Sequence, residues 1–487
     1  MKEKHWFRPR GYAHFTKKIK YQQVSSVTNY VKNAIRVAKH RFYPLVHLQL
    51  AEKKYKKIVL AGTKSTKRSM TVKRRQIFYC SHLDAQIYSY YAREVLGPRY
   101  EAKLKESPIL DNAVIGYRRI SVVGEDRCKS NIDFSNEIFE YIGATQGEVV
   151  VMAFDITSFF DSLDHKLLKK SWCRLLDRIN LPEDHYNIYK SLIDFCYVDL
   201  HDVLKTIGLK HPKELFQRKI SELCKSPTEF RELIKKRGLL KRNPFRNKKS
   251  TSSEKMGIPQ GTPISAFLAN LYLLEYDSEI SSYVCERNGL YRRYSDDILV
   301  VCPTIYEYEI ETKVMQIENI AKVEIQPTKT QKTKFCGGRL LRGEKPVQYL
   351  GFEYDGVQKR LKSSSVSKHY RNLKQTVKFR AIRAKKMKRK DDSNGFIYRK
   401  PLYLGYSHLG ADPGFNRKRN YLSYVKMASK VMRSTAIRRQ LSKSWTILEN
   451  EIQRQTELNR LHRSAYSRNY FLAAVSSETH EIKLAIQ

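Results

Sequence analysis

The chain has 487 residues, of which 41% are hydrophobic, 11% aromatic and 29% charged. That is core enough for two to four folded domains and unlike a disordered chain. Lys and Arg number 92 against 49 Asp and Glu, a formal charge of +43, which asks for a polyanionic partner, nucleic acid first. The longest unbroken apolar run, Val149 to Phe154, is too short to cross a bilayer, so no membrane partner is expected. No apolar stretch near Met1 marks a secretory signal, and the eight dispersed Cys form no CxxC or zinc-spaced pair. A cytoplasmic protein with reduced thiols follows, without disulfides or structural zinc.

Residues 1–75 are basic and aromatic, with Lys53, Lys54, Lys56, Lys57, Lys64, Lys67, Arg68, Lys73, Arg74 and Arg75 crowded near the end. Helical spacing over 83–103 is broken at Gly97-Pro98. The β-branched run Glu148 to Ile156 predicts a buried strand, and Asp164 predicts a cap for a helix over His165 to Ile179. Residues 185–245 read as helical and polar, Arg242 to Lys255 as a loop, and Ser265 to Tyr283 as a helix. Two short strands are expected over Leu290 to Val301, joined by Tyr294-Ser-Asp-Asp297, and another at Val347 to Tyr354. Beyond residue 360 the composition shifts: 371–400 holds twelve Lys and Arg against Asp391 and Asp392, on a helical pattern. A Gly/Pro-rich turn region and two helices over 420–462 follow. Helices mixed with short strands, without regular βαβ alternation, favour an α+β fold.

Three blocks carry chemistry. Asp155 stands where the apolar strand stops, in Phe154-Asp-Ile-Thr-Ser-Phe-Phe160, and Asp296 and Asp297 stand at a hairpin tip. Asp is ordinary in solvated turns, but carboxylates gathered at strand ends repel one another unless cations neutralise them. Magnesium suits such a set because it takes oxygen ligands and bridges substrate phosphates. Two ions about 3.5–4 Å apart activate an attacking hydroxyl and stabilise leaving pyrophosphate. The third block, Met256-Gly-Ile-Pro-Gln-Gly-Thr-Pro-Ile-Ser265, is a Gly/Pro-shaped loop that permits close backbone approach to a ligand and leads into a helix.

Asp155-x4-Phe160, Gly257-Ile-Pro-Gln-Gly-Thr-Pro-Ile-Ser265 and Tyr294-Ser-Asp-Asp297, in this order, resemble the palm motifs of reverse transcriptases. Pro327-Thr-Lys329-Thr330 is similar to the lysine-bearing motif after the catalytic hairpin, and Val347-Gln-Tyr-Leu-Gly-Phe-Glu-Tyr354 to the primer-gripping strand before the thumb. The resemblance covers about residues 65–357. It implies a right-hand polymerase with N-terminal extension and fingers over 1–145 and palm over 146–357, with part of the fingers inserted at about 180–256. A basic helical thumb and C-terminal extension take 358–487. It implies that Asp155, Asp296 and Asp297 are catalytic and hold two Mg2+, and that Phe160 clashes with a ribose 2′-hydroxyl. Gln260, Gly261, Arg75 (in Arg75-Gln-Ile77, with Lys67 or Arg68 before it) and Lys329 would contact the nucleotide, and Tyr349, Leu350 and Gly351 the primer. The Pro usual after the Arg75 strand is absent, Cys80-Ser-His standing there instead.

No retron Asn-Ala-x-x-His or Val-Thr-Gly element, nuclease, ribonuclease H, protease or integrase module is present. What remains resembles the bacterial defence-associated reverse transcriptases of the "unknown" groups, types 2 and 9 among them. The blocks behind this are Phe7-Arg-Pro-Arg-Gly-Tyr-Ala-His14, Leu83 to Tyr91 and Val114-Ile-Gly-Tyr-Arg118. The resemblance implies a partner non-coding RNA as template and scaffold, dNTP substrates, a DNA product and a role against phage, and leaves homo-oligomers open. The charge pattern agrees on the partner: Lys374, Lys378, Arg383, Lys385, Lys386, Lys388, Arg389 and Lys390 can neutralise several phosphates. Tyr and Arg interleaved over 398–424, including Arg417, could stack unpaired bases. Three alternatives stay open: a maturase-like or scaffold RNA-binding protein with a vestigial site, template-independent synthesis, and priming from Tyr466 or Tyr470.

Overall fold

The computed structural model describes residues 6–59, 66–245, 256–388, 397–410 and 419–459, with the side chains of 54–59, 66–68 and 386–388 excluded. The chain divides into two units. One comprises Met1–Ile120 with Val150–Lys332, the other Ser121–Val149 with Thr333–Gln487.

The first unit begins with a long antiparallel hairpin, β1 (Leu45–Val59) and β2 (Thr66–Tyr79), in register from Val46↔Tyr79 to Val59↔Thr66. Sequence reading gave this basic region no strand. The omission has a cause: beyond Leu50 the hairpin carries Lys or Arg on both faces, so no apolar alternation shows. At its base β1 pairs in parallel with β4 (Cys196–Asp199) through Leu45–His47, and β4 pairs with β5 (Lys241–Arg242). Residues 185–245 are therefore not wholly helical. Short helices Leu200–Thr206, Pro212–Gln217 and Pro227–Phe230 lie between those two strands, and Val46, Val198, Val203, Leu204 and Ile234 form the core there.

Next to this sheet the helix His82–Tyr90 continues through a π-turn at Tyr91–Val95 into Leu96–Lys105. Gly97-Pro98 thus does not end the helix as expected. The wider π-turn accommodates the missing Pro98 donor and its ring, and a Cβ on Gly97 would sit 2.9 Å from the Ala92 carbonyl oxygen. The central strand β3 (Glu148–Asp155) lies beside β7 (Asp297–Pro303), which pairs antiparallel with β6 (Leu290–Tyr294). Asp164 caps the helix His165–Leu175 by accepting from Leu167 N–H at 2.8 Å. The segment expected as one helix after Ser265 is two, Ser265–Tyr272 and Leu274–Cys285. Trp172, Leu268, Leu271, Tyr276, Val300 and Ile310 belong to the one large core beneath these strands.

In the second unit the helix Asn131–Ala144 stacks Phe139 on Tyr354 at 5.1 Å. Strand β8 (Gln331–Cys336) turns into β9 (Arg339–Leu340), and β10 (Val347–Tyr349), β11 (Phe352–Tyr354) and β12 (Lys359–Leu361) form an antiparallel sheet. The single strand expected at 347–354 is thus a hairpin with Leu350 and Gly351 at its tip, at φ 43° and 96°. Positive φ at both tip residues marks the tight turn that suits strand twist. The helix Ser363–Lys388 follows. Its Leu373, Val377 and Ala381, one turn apart, bury against Leu402, Leu448 and Ile452. The fold is α+β, with antiparallel sheets and helices. No helix among the described residues is long and apolar enough to cross a membrane.

Candidate polymerase site

Asp155 closes β3, and the backbone around it is fully engaged. Its carbonyl accepts from Gln326 N–H at 2.9 Å, Thr157 N–H donates to the Glu324 carbonyl at 2.7 Å, and Ile156 N–H donates to the Asp296 carbonyl at 3.0 Å. The first two bonds run 155–157 antiparallel to 324–326. The turn Pro327–Lys329 then places the Lys329 ammonium on the Asp155 carboxylate as an ion pair. The third bond ties the end of β3 to the tip of the β6–β7 hairpin.

That tip is two residues, Ser295 and Asp296, closed by the pair Tyr294↔Asp297. Ser295 stands at φ 61°, a left-handed conformation that glycine usually fills. Arg293 compensates: its Nη1 donates to the Ser295 carbonyl at 3.0 Å and to Asn270 Oδ1 at 3.1 Å, while Nε and Nη2 donate to Asp277 at 2.7 and 2.5 Å. Both members of this pair are fully buried. Burial works against the charge of Arg293, and the Asp277 carboxylate outweighs it, so the guanidinium pKa rises. Gly116 packs on the tip from the other side, since a Cβ there would sit 2.6 Å from Ser295 N. Its carbonyl accepts from Asn270 Nδ2 at 2.7 Å. Sequence reading missed Arg293, Asp277 and the role of Gly116. The available signal was parity: in β6, Tyr291 and Arg293 face inward, so a charge sits where an apolar residue belongs.

Phe160 lies half-buried in the turn Phe159–Asp161, 5.8 Å from the buried Phe159 ring. Ile258 N–H donates to the Phe160 carbonyl at 2.9 Å and Gly257 N–H to that of Leu163 at 2.8 Å, which fixes the Gly/Pro loop against this turn. The same loop meets β2. The Gln260 carbonyl accepts from Phe78 N–H at 2.8 Å, and Gly261, at φ 121°, would carry a Cβ 2.6 Å from the Phe78 carbonyl oxygen. Arg75, three residues back along β2, is solvent-exposed. The side chains of Lys67 and Arg68 lie outside the described residues.

Three aspartates, two on one strand end and one on the next, offer only hard oxygen donors, a set that fits magnesium better than a softer metal. No three His, Cys, Asp or Glu side chains among the described residues stand close enough to hold a metal ion. The Asp155 carboxylate is drawn to Lys329, and Asp297 is exposed. The backbone bond from Ile156 to Asp296 keeps the two strand ends adjacent.

In the second unit, Ser135 Oγ donates to the Tyr349 carbonyl at 3.2 Å and Lys362 N–H to that of Gly351 at 3.0 Å, fixing the Tyr349-Leu350-Gly351 hairpin. On the helix Ser363–Lys388, Lys374 and Lys378 are exposed and Lys385 is half-buried. Their spacing from Arg371 puts all four on one stripe beside the buried one. Arg383 is exposed on a different stripe. Lys386 and Lys388 belong to the helix with undescribed side chains, and Arg389, Lys390, Arg417, Tyr466 and Tyr470 lie outside the described residues.

A family model, reverse transcriptase (RNA-dependent DNA polymerase), matches residues 100–354, more than half of the chain. The chain belongs to the reverse transcriptase family. No curated protein matches. Solved structures similar to it include apo telomerase from Candida tropicalis truncated from its C-terminal domain, at 12% identity and TM-score 0.38 over 71% of this chain and 61% of that one. Another is telomerase from Candida albicans in complex with a TWJ fragment of telomeric RNA, at 13% identity and TM-score 0.35 over 92% and 68%. The chain spans about three-fifths of the length of the first of these.

Proposed function

We propose that this protein is an RNA-directed DNA polymerase that copies a partner non-coding RNA into DNA, with Asp155, Asp296 and Asp297 as its metal-binding catalytic residues. The observation that carries the reading is the bond from Ile156 N–H to the Asp296 carbonyl, which makes neighbours of aspartates 141 positions apart in a chain of this family. Two Mg2+ held there would supply Lewis-acid activation of the attacking hydroxyl and charge for the leaving pyrophosphate.

The chain's own residues do the rest. Lys329 adds positive charge beside Asp155, where the triphosphate must lie, and Arg75 supplies a second cation from β2. Gly261, without a side chain, lets the nascent base pair approach the backbone, with Gln260 beside it. Phe160 would exclude a ribose 2′-hydroxyl and so select deoxynucleotides. Tyr349, Leu350 and Gly351 hold the primer, and Lys374, Lys378, Arg383, Lys385, Lys386 and Arg389 take backbone phosphates. The proposed division is N-terminal extension and fingers over 1–145, palm over 146–357 with part of the fingers inserted at about 180–256, and thumb with C-terminal extension over 358–487. The finer reading, a cytoplasmic bacterial enzyme of phage defence, is supported by the blocks at Phe7–His14, Leu83–Tyr91 and Val114–Arg118.

Changing Asp296 and Asp297 together to Ala tests the proposal. The expected result is loss of DNA synthesis by about 1,000-fold or more, with RNA binding kept. Unchanged biology in the double variant argues for a scaffold, and synthesis that survives in it overturns the assignment of Asp296 and Asp297. Sequencing the nucleic acid that copurifies would identify template, product and start site together, and phage plating with the double variant tests the defence role.

A further inference from the structure

A cavity of about 980 Å3 opens beside the segment that follows Asp155, within the first unit. It is not the proposed nucleotide site. Side chains alternate along β2, so Arg75 and Ile77 share one face and Gln76 and Phe78 the other. Ile77 is on the Gly261 side, its Cγ2 3.1 Å from where a Gly261 Cβ would be. The cavity is lined by Gln76 and Phe78 together with their cross-strand partners Gln49 and His47. It therefore lies on the opposite face of the hairpin from Arg75.

One wall of the cavity is aromatic. His47 stacks on Phe78 at 4.8 Å, Tyr197 meets both edge-on at 5.4 and 5.2 Å, and Phe245 meets Phe78 edge-on at 6.1 Å. His47 is held in place by Asp199 on Nδ1 and Gln76 on Nε2, and Asp199 is paired in turn with Lys241. Acceptors line the cavity as well. Asp161 and Glu318 both line it, and desolvation raises the Asp161 pKa to about 6. The lining cation, Lys322, is committed to Asp164 at 2.9 Å. Among the described lining residues, a phosphate meets carboxylates and an engaged lysine, whereas a flat neutral ring with N–H donors meets aromatic side chains and acceptors.

We propose that this cavity is a nucleobase site, separate from the site of incorporation, for a base bearing an exocyclic amino group. Adenine, guanine and cytosine qualify, with the ring against the half-buried Tyr197 and Phe245 and the amino edge donating to Asp161. The proposal rests on the polymerase reading, because that reading makes nucleotides and RNA the ligands at hand. The base reaches the cavity either as a free nucleoside or nucleotide, or as an unpaired base of the bound RNA.

The test uses the full-length protein freed of RNA, titrated with cytidine and uridine and followed by ligand-observed NMR. Cytidine is expected to bind on the order of tenfold more tightly than uridine, the discrimination a well-placed polar contact supplies. Asp161→Leu should abolish that preference, and Phe245→Ala should weaken both ligands, with dNTP incorporation on a primed template retained in each variant. Reconstituted RNA that displaces cytidine assigns the site to an RNA base. Cytidine that still binds to the RNA complex assigns it to a free nucleoside; either result supports the site. Equal binding of cytidine and uridine to the wild type, or a preference that survives in a folded Asp161→Leu variant, overturns it. Loss of incorporation in the wild type would sink the polymerase reading instead, without bearing on cytidine binding.

Discussion

Arg293 and Asp277 show how much the site depends on residues that meet no substrate. The guanidinium is spent on Asp277, Asn270 and the Ser295 carbonyl, so it fixes the backbone immediately before Asp296. Arg293→Met would leave Asp277 charged and buried. Unfolding free energy should fall by about 3–5 kcal/mol, measured by urea denaturation, whereas the same change at exposed Lys374 should cost well under 1 kcal/mol. Asp161 behaves oppositely. Its folded pKa is raised from 3.8 to about 6 by desolvation, so the fold prefers the protonated acid. Burial of the charged form therefore costs stability increasingly as pH rises from about 4 through 6. Asp161→Asn should raise the Tm above that of the wild type at pH 7.5, and the difference should close as pH falls towards 4. A variant less stable than wild type at pH 7.5 would contradict the assignment.

Among elements, the hairpins decide what can be read in advance. The β6–β7 hairpin was legible because Leu299–Cys302 are apolar and the polar tetrad interrupts them. β3 was legible because its β-branched run is buried on both faces. The β1–β2 hairpin was not, since beyond Leu50 its Lys and Arg residues leave no apolar period to read. The Leu350-Gly351 turn was hidden by Leu at a left-handed position, where residue statistics expect Asn or Gly. The candidate aspartates were visible in the sequence through their position at strand ends. Their support from Arg293 and Gly116 was not, because it depends on which side of a strand faces the core. Gly116→Ala tests that support: a Cβ 2.6 Å from Ser295 N must displace the tip. The expected outcome is a destabilisation of about 1–3 kcal/mol and a larger fractional loss of kcat than of substrate affinity in primer extension.

For the whole molecule, the +43 charge and the stripe on the helix Ser363–Lys388 bear on nucleic-acid affinity rather than fold. Replacing Lys374, Lys378 and Arg383 by Gln should lower the slope of log K against log salt by about 2–3, with Tm little changed. An unchanged slope would mean these cations face solvent alone. The central claim concerns the strand ends at Asp155 and Asp296. It is tested most directly by dNTP incorporation on a primed RNA template while Mg2+ is removed by chelation and then restored. The account predicts that incorporation stops without the ion, returns with it, and is absent throughout in Asp155→Asn. Incorporation that persists without divalent ions, or wild-type activity in Asp155→Asn, would contradict it.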